Sequence, residues 1–429
     1  MQFTSMKKSL ALASLIALAV SGSVFAAPAA PTGLQVPSLS TTTDGTTLLG
    51  SEDAASYPYH YKLYPYLSDE RYYALINAKP GPDGKRLQNI RIVGEGTIDG
   101  NGWKKGPDGN YLYRAKGKNK DGTLKKNHVL NIGIPAANQV RSLEENEKLD
   151  ENKAYPRRSS LILLQGVDKV YVTGVTMRNP ANHGFIAQHC NDVVIENAQF
   201  RTYNCNNGDG IEFGHGSGLK VMDNVFDTGD DCVNFAAGQG ALGAKDHPTE
   251  NIWIFNNSFH HGHGAVVMGS HTAAYIQKLL AEDNVMDGTD IGLRMKTNPV
   301  NGGARDIHFR NNAMKNMQAQ FFIATTAYSD PNAAAAFPKA EKTGSFYNIL
   351  VEDCTVFGTK KPAIEIVGQP DAMHHDITFK NVTIQDGQPW KITNAKSINF
   401  INVKQSGSKD SKASKEKSGS AAKKSAKAK

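Results

Sequence analysis

The feature that most constrains this chain is an eight-residue unit of strand, bend and strand. It reads apolar, any, apolar, any, then Asn, Asp or Gly, with another apolar residue at the eighth place. Copies begin at Val170, Val193, Leu219, Ile252, Leu279, Ile307, Ile349 and Ile377, with a weaker one at Ile398, and their starts lie 21 to 42 residues apart. The fifth place is Gly174, Asn197, Asp223, Asn256, Asp283, Asn311, Asp353 and Asn381. These residue types tolerate the left-handed backbone of a sharp bend. Period-two strands at this spacing, with no amphipathic helices between them, argue against a doubly wound α/β sheet. An antiparallel sandwich would need hairpins and closer turn signals. The pattern predicts an all-β, right-handed, single-stranded parallel β-helix. Inward alternate residues should stack into a continuous core, and the Asn/Asp places into a ladder.

Composition matters mainly at the two ends. Lys7 and Lys8 precede an apolar run from Leu10 to Val20, and Val24-Phe25-Ala26 offers a small-residue cleavage site, so residues 1–26 are predicted to be an export signal. The run is shorter than the roughly 18 to 20 apolar residues of a membrane helix, and no later stretch approaches that length. A soluble product, secreted or periplasmic, with no membrane partner, is the expectation. The net charge of +7 is concentrated in residues 406–429, which carry eight Lys against Asp410 and Glu416, and in the two leader lysines. The body between them is close to neutral, so the charge gives no reason to expect a nucleic-acid partner. The Lys/Ser/Ala tail lacks the apolar residues to fold and is predicted to be disordered. Cys190, Cys205, Cys232 and Cys354 permit one or two disulfides in an oxidising compartment. None of them shows zinc-ligand spacing.

Four segments put polar groups where the repeat would carry ordinary strand residues: Asn207-Gly208-Asp209, Gly229-Asp230-Asp231, Gly262-His263-Gly264 and Arg294-Met295-Lys296. Asp209, Asp231, His263 and Arg294 follow one another at 22, 32 and 31 residues, about one coil each. One coil advances by roughly 4.8 Å, so the segments should form a short patch along one side. Alone, each has a plain reading as a turn, a loop histidine or a solvated strand face; their conjunction points to chemistry. Cleavage of a glycosidic bond between acidic sugars needs a carboxylic acid for the leaving oxygen, a carboxylate for the water and cations for the substrate. Crowding Asp209, Asp230 and Asp231 should keep at least one proton to unusually high pH. Arg294 and Lys296 alternate on a strand and so share a face. Asp230 and Asp231 can work together only if the backbone bends between them. Asp246, His247 and His260 lack this registration and read as loop or surface residues. Three aspartates could also ligate calcium, as a lyase would require.

At these four segments the sequence resembles the polygalacturonases of glycoside hydrolase family 28, whose motifs are Asn-Thr-Asp, Gly-Asp-Asp, Gly-His-Gly and Arg-Ile-Lys. Gly208 replaces the family's Thr and Met295 its Ile, and neither change removes a reacting group. The resemblance runs over residues 50–405 and implies the pectin-lyase-like solenoid. It also implies that Asp230 is the general acid, that Asp209 and Asp231 activate water, and that His263 supports the acid's protonation. Arg294 and Lys296, with Asn207 assisting, would bind galacturonate in a polygalacturonate or oligogalacturonide substrate. The implied enzyme is an inverting hydrolase needing no metal or other cofactor, with catalytic carboxyls about 6.5 to 9.5 Å apart. Residues 90–103 and 292–312 are most similar to bacterial exo-poly-α-galacturonosidases, which release short, often disaccharide, units from the non-reducing end. Residues 104–160 are then a candidate wall closing one end of a groove. Residues 27–49 resemble the start of a fibronectin type III module, the β-helix being entered at Gly50 without the family's usual first coils and cap. A monomer is expected. Rival readings are an endo-polygalacturonase, a rhamnogalacturonan or xylogalacturonan hydrolase, a calcium-dependent pectate lyase, and a non-catalytic carbohydrate-binding β-helix.

Overall fold

The computed structural model describes residues 39–42, 45–103, 105, 113–118, 124–297, 302–328 and 343–407. The leader and nearly all of the Lys-rich tail lie outside these residues. The repeat folds as expected. Among the described residues, three long sheets of twelve, ten and ten strands run the length of a coil, each strand pairing with its equivalents one turn before and after. All these pairings are parallel except the first, where Leu39–Thr42 and Gly45–Leu49 form a hairpin. Gly45–Leu49 also pairs in parallel with Thr97–Asp99, so the sheet reaches back five residues before Gly50. Such parallel crossovers take the right-handed sense.

The starts of the repeat pair in one unbroken register, Val170 on Val193 on Leu219 and onward to Ile377 and Ile398. Val170 also pairs backward with Ile90, an earlier copy that the eight-residue pattern missed. The eighth places stack likewise inside the coil, and Phe200, Phe226 and Phe259 lie face to face at 4.7 and 4.9 Å. Each such fully buried side chain contributes about 1.5 to 3 kcal/mol.

Every Asn and Asp at the fifth place takes a positive φ, between 50° and 58°, and Gly174 takes 79°. Their side chains pair from coil to coil, as Asn256 to Asp223 at 2.6 Å and Asn381 to Asp353 at 2.9 Å. A second ladder lies at the sixth place and was not anticipated. Buried Asn224, Asn257, Asn284 and Asn312 each offer Oδ1 to the backbone N–H of the equivalent residue one coil earlier, at 2.9 to 3.1 Å. Their Nδ2 groups donate to strand carbonyls such as Val221 O. The bends therefore leave few orphaned peptide groups inside.

The four cysteines are all free and buried, so the permitted disulfides do not form. Cys190, Cys232 and Cys354 fill the coil's core on separate turns, and Cys205 belongs to a second cluster beneath the helix Ile134–Asn146. Among the described residues no helix is long and apolar enough to cross a membrane.

Candidate active site

The site occupies the bends that lead into one of the ten-stranded sheets. Asp209 precedes the strand Ile211–Gly214, Asp230 and Asp231 precede Val233–Ala236, and His263 precedes Val266–Met268, while Arg294 and Lys296 lie within Leu293–Lys296. Ile211 pairs with Val233, Val233 with Val266 and Val266 with Leu293. Asp209 and Asp231 thus occupy the same position on neighbouring coils, as do Asp230 and His263 on the next pair. All seven predicted residues come together.

The backbone turns at Gly229-Asp230 before the strand begins, which lets adjacent aspartates serve one site. A Cβ on Gly229 would stand 2.0 Å from Cys205 O, so only glycine fits this bend. The same crowding accounts for Gly208, where a Cβ would meet Cys205 Cβ at 2.7 Å and Thr202 O at 2.8 Å. A Thr there would not fit against this chain's 202–207 loop.

Carboxylate oxygens of Asp209, Asp230 and Asp231 lie within 4.8 Å of one another. The about 6.5 to 9.5 Å expected between inverting carboxyls is a separation of whole groups, a longer span than that between nearest oxygens. Asp231 is nearly sealed from solvent. Arg294 Nη1 donates to its Oδ1 at 2.9 Å, Lys296 Nζ to its Oδ2 at 2.7 Å, and Asn234 Nδ2 to Oδ2 at 3.0 Å. Both cations therefore share one face, as the alternation predicted, with Met295 buried between them. Their first partner, however, is Asp231. The Tyr328 ring lies 5.9 Å from the Arg294 guanidinium and 5.2 Å from Lys296 Nζ.

Asp230 accepts from its own neighbour's N–H at 3.0 Å, from Asn207 Nδ2 at 3.4 Å and from His263 Nδ1 at 3.0 Å. Burial would push its carboxyl upward, but the His263 hydrogen bond and the charges of His263, Lys296 and Arg294 hold it well below the usual range. His263 is correspondingly raised to about 9, first by its hydrogen bond to Asp230. Asp209 is raised to about 7, chiefly by burial. Of these two carboxyls Asp209 thus holds its proton to the higher pH and Asp230 gives its own up first.

Two participants escaped the sequence reading. His183 Nδ1 is 2.9 Å from Asp209 Oδ1, and it lies 26 residues earlier, one coil back. Burial lowers His183, but the charges of Glu212 and Asp209 prevail and raise it to about 9. Arg158 is buried, with its Nη2 donating to Asn207 Oδ1 at 3.1 Å and its Nη1 to Ala181 O at 2.7 Å. Counting back one coil from Asp209 would have found the first. Nothing local marks the second. Beside the carboxyls a cavity of about 330 Å³ is lined by His263, Arg294, Lys296, Gln320, Tyr328 and Lys361, among others.

A family model described as "Glycosyl hydrolases family 28" matches residues 139–406. The exo-poly-α-D-galacturonosidase of Dickeya chrysanthemi is 44% identical over 84% of this chain and 61% of its own length. The structure of a family 28 exopolygalacturonase from Yersinia enterocolitica superposes with a TM-score of 0.75 at 41% identity, covering 84% of this chain and 65% of that one. A Thermotoga maritima exopolygalacturonase, 22% identical over 84% of this chain and 78% of its own, shares the fold with a TM-score of 0.62. The chain spans about three fifths of the length of the Dickeya relative, 61%. The matched residues contain all four polar segments and the coils that carry them, and the chain belongs to glycosyl hydrolases family 28.

Proposed function

We propose that this chain hydrolyses the α-1,4-galacturonosidic bonds of polygalacturonate from the non-reducing end, releasing digalacturonate. The observation that carries this reading is the convergence of three carboxyls beside two cations that border a 330 Å³ cavity. A galacturonate carboxylate entering the cavity competes with Asp231 for Arg294 and Lys296. Their pull on Asp230 weakens, and the bound sugar displaces water from the cluster. Both effects raise the proton affinity of Asp230. The cluster's proton then passes from Asp209 to Asp230, leaving Asp230 as the acid and Asp209, with Asp231, as the base. Asp230 protonates the leaving oxygen while the two others take the proton of the attacking water. The His263 imidazolium stabilises the Asp230 carboxylate that results.

The tight cluster does not by itself set the stereochemistry, and inversion is read from the anomer first seen by proton NMR. The exo reading draws on the names of the Dickeya and Yersinia relatives and on the helix Ile134–Asn146. This helix packs in one cluster with Ala181 and Cys205, on the Asn207 side of the site. A calcium-dependent lyase fits less well, because Arg294 and Lys296 already neutralise Asp231 and would repel a divalent ion. Export through residues 1–26 belongs to the same proposal and is tested by N-terminal sequencing of the secreted product.

The deciding experiment is chromatography of timed digests of de-esterified polygalacturonate, in chelator, by the chain and its Asp230→Asn variant. Early saturated disaccharide, absent from the variant, supports the proposal. A ladder of saturated oligomers makes the action endo. Unsaturated products, or none from a folded chain, overturn it.

A further inference from the structure

The strand that presents Asp209 at one end presents His215 at the other, and its neighbour does the same with His183 and His189. Gln188 pairs with Gly214, so His189 and His215 leave the sheet side by side, their rings stacked with centroids 5.0 Å apart. Asp246 folds back over them from the loop after the short helix Gly240–Gly243. His189 Nε2 lies 3.1 and 3.0 Å from the two Asp246 oxygens, and His215 Nε2 lies 3.7 Å from Oδ2.

The state of His215 is what points to a ligand. Its side chain is 0% exposed, and its Nε2 has no hydrogen-bond partner. Nδ1 is 2.6 Å from the carbonyl of His247, so Nδ1 carries the proton and Nε2 turns a bare lone pair toward Asp246. A ring N–H donated to a carbonyl is the outer contact that fixes the tautomer of a metal-ligating histidine. We propose that His189, His215 and Asp246 form a zinc site. All three donor atoms lie within 4.8 Å of one another. A tetrahedral zinc with bonds of about 2.0 to 2.1 Å needs donors roughly 3.3 Å apart, between the two separations seen at His189 and His215. The zinc takes the place of the hydrogen shared by His189 and Asp246, and water completes its shell. His189 and Asp246 are 37% and 28% exposed, which leaves an entry path.

Six extended residues, roughly 20 Å, separate this site from the Asp209 end of the strand. The ion therefore serves to fasten the loop bearing Asp246 to the sheet rather than to act on substrate.

The test is equilibrium dialysis of the tag-free full chain against zinc chloride, read by elemental analysis, with cobalt absorption as a second signal. The parent chain and its Asp209→Asn variant should each bind one zinc and give the visible bands of tetrahedral cobalt. His189→Ala and the isosteric Asp246→Asn should bind at least about tenfold more weakly. Zinc should raise the melting temperature of the parent and of Asp209→Asn, but not of His189→Ala or Asp246→Asn. No uptake by the parent, uptake lost only in Asp209→Asn, or uptake unchanged in both His189→Ala and Asp246→Asn overturns the proposal.

Discussion

Single side chains decide where the proton of the carboxyl cluster sits. Asp230 is ionised in the free chain because His263, Lys296 and Arg294 outweigh its burial. Asp230→Asn keeps much of the hydrogen-bond geometry but cannot deliver a proton, and kcat should fall by about 10² to 10⁴. His183 pulls the other way on Asp209, since its charge opposes the burial that raises Asp209 to about 7. His183→Gln should therefore move the alkaline limb of kcat/KM upward from about 7, as the cluster keeps its proton longer. A limb that stays in place would remove His183 from the proton's control. The four catalytic-type segments were readable because each places charge at one-coil spacing. His183 was readable only by counting back one coil from Asp209, and Arg158 was not, since a lone arginine looks the same in any loop. Burial and partner decide their roles, and both come from folding.

At the scale of the bend, the fifth and sixth places of the repeat use the same residue for opposite purposes. The fifth place needs a backbone that tolerates positive φ, as at Asn256 with φ 53°. The sixth needs a buried amide that serves two coils, as at Asn257. Asn256→Gly should change stability by no more than a few tenths of a kcal/mol, whereas Asn256→Val should cost about 1 to 2 kcal/mol from left-handed backbone. Asn257→Ala strands the Asn224 N–H and the Val221 carbonyl, and should cost about 1 to 3 kcal/mol in denaturant unfolding. Equal losses at both places would refute this division. Composition announces an Asn-rich bend but cannot say which Asn points inward, because adjacent residues differ only in side-chain direction. The fold class itself was legible, since register requires only the spacing of apolar residues. The permitted disulfides failed for a related reason: each core cysteine is fixed to its own coil, too far along the axis to meet another.

For the molecule as a whole, the titrating groups give stability a slope. His183 and His263, raised to about 9 from an unfolded value near 6.5, bind protons more tightly when folded. Their contribution is complete below about pH 6.5 and is lost as pH climbs through 9. Asp209, raised to about 7, loses its contribution between about pH 4 and 7. Asp230, depressed, contributes above about pH 4 and loses that on acidification. Calorimetry should thus find the highest melting temperature in mild acid, with a steady decline to pH 9. His183→Gln should flatten the alkaline part of that decline. A maximum near pH 9 would contradict the raised histidines.

The unbroken pairing from Ile90 to Ile398 also bears on how such a chain tolerates change. Successive copies lie 80 residues apart from Ile90 to Val170 and 21 to 42 residues apart thereafter, yet every copy lands on the same partner position. Each turn takes its phase from the turn before it, by backbone pairing, and not from a count of residues. Errors of length are thereby corrected locally instead of accumulating along the axis. The walls around the carboxyls can be lengthened, cut or exchanged while the carboxyls keep their alignment. A lineage of such chains is free to remodel which end of a polymer it admits without reinventing the chemistry that cuts it.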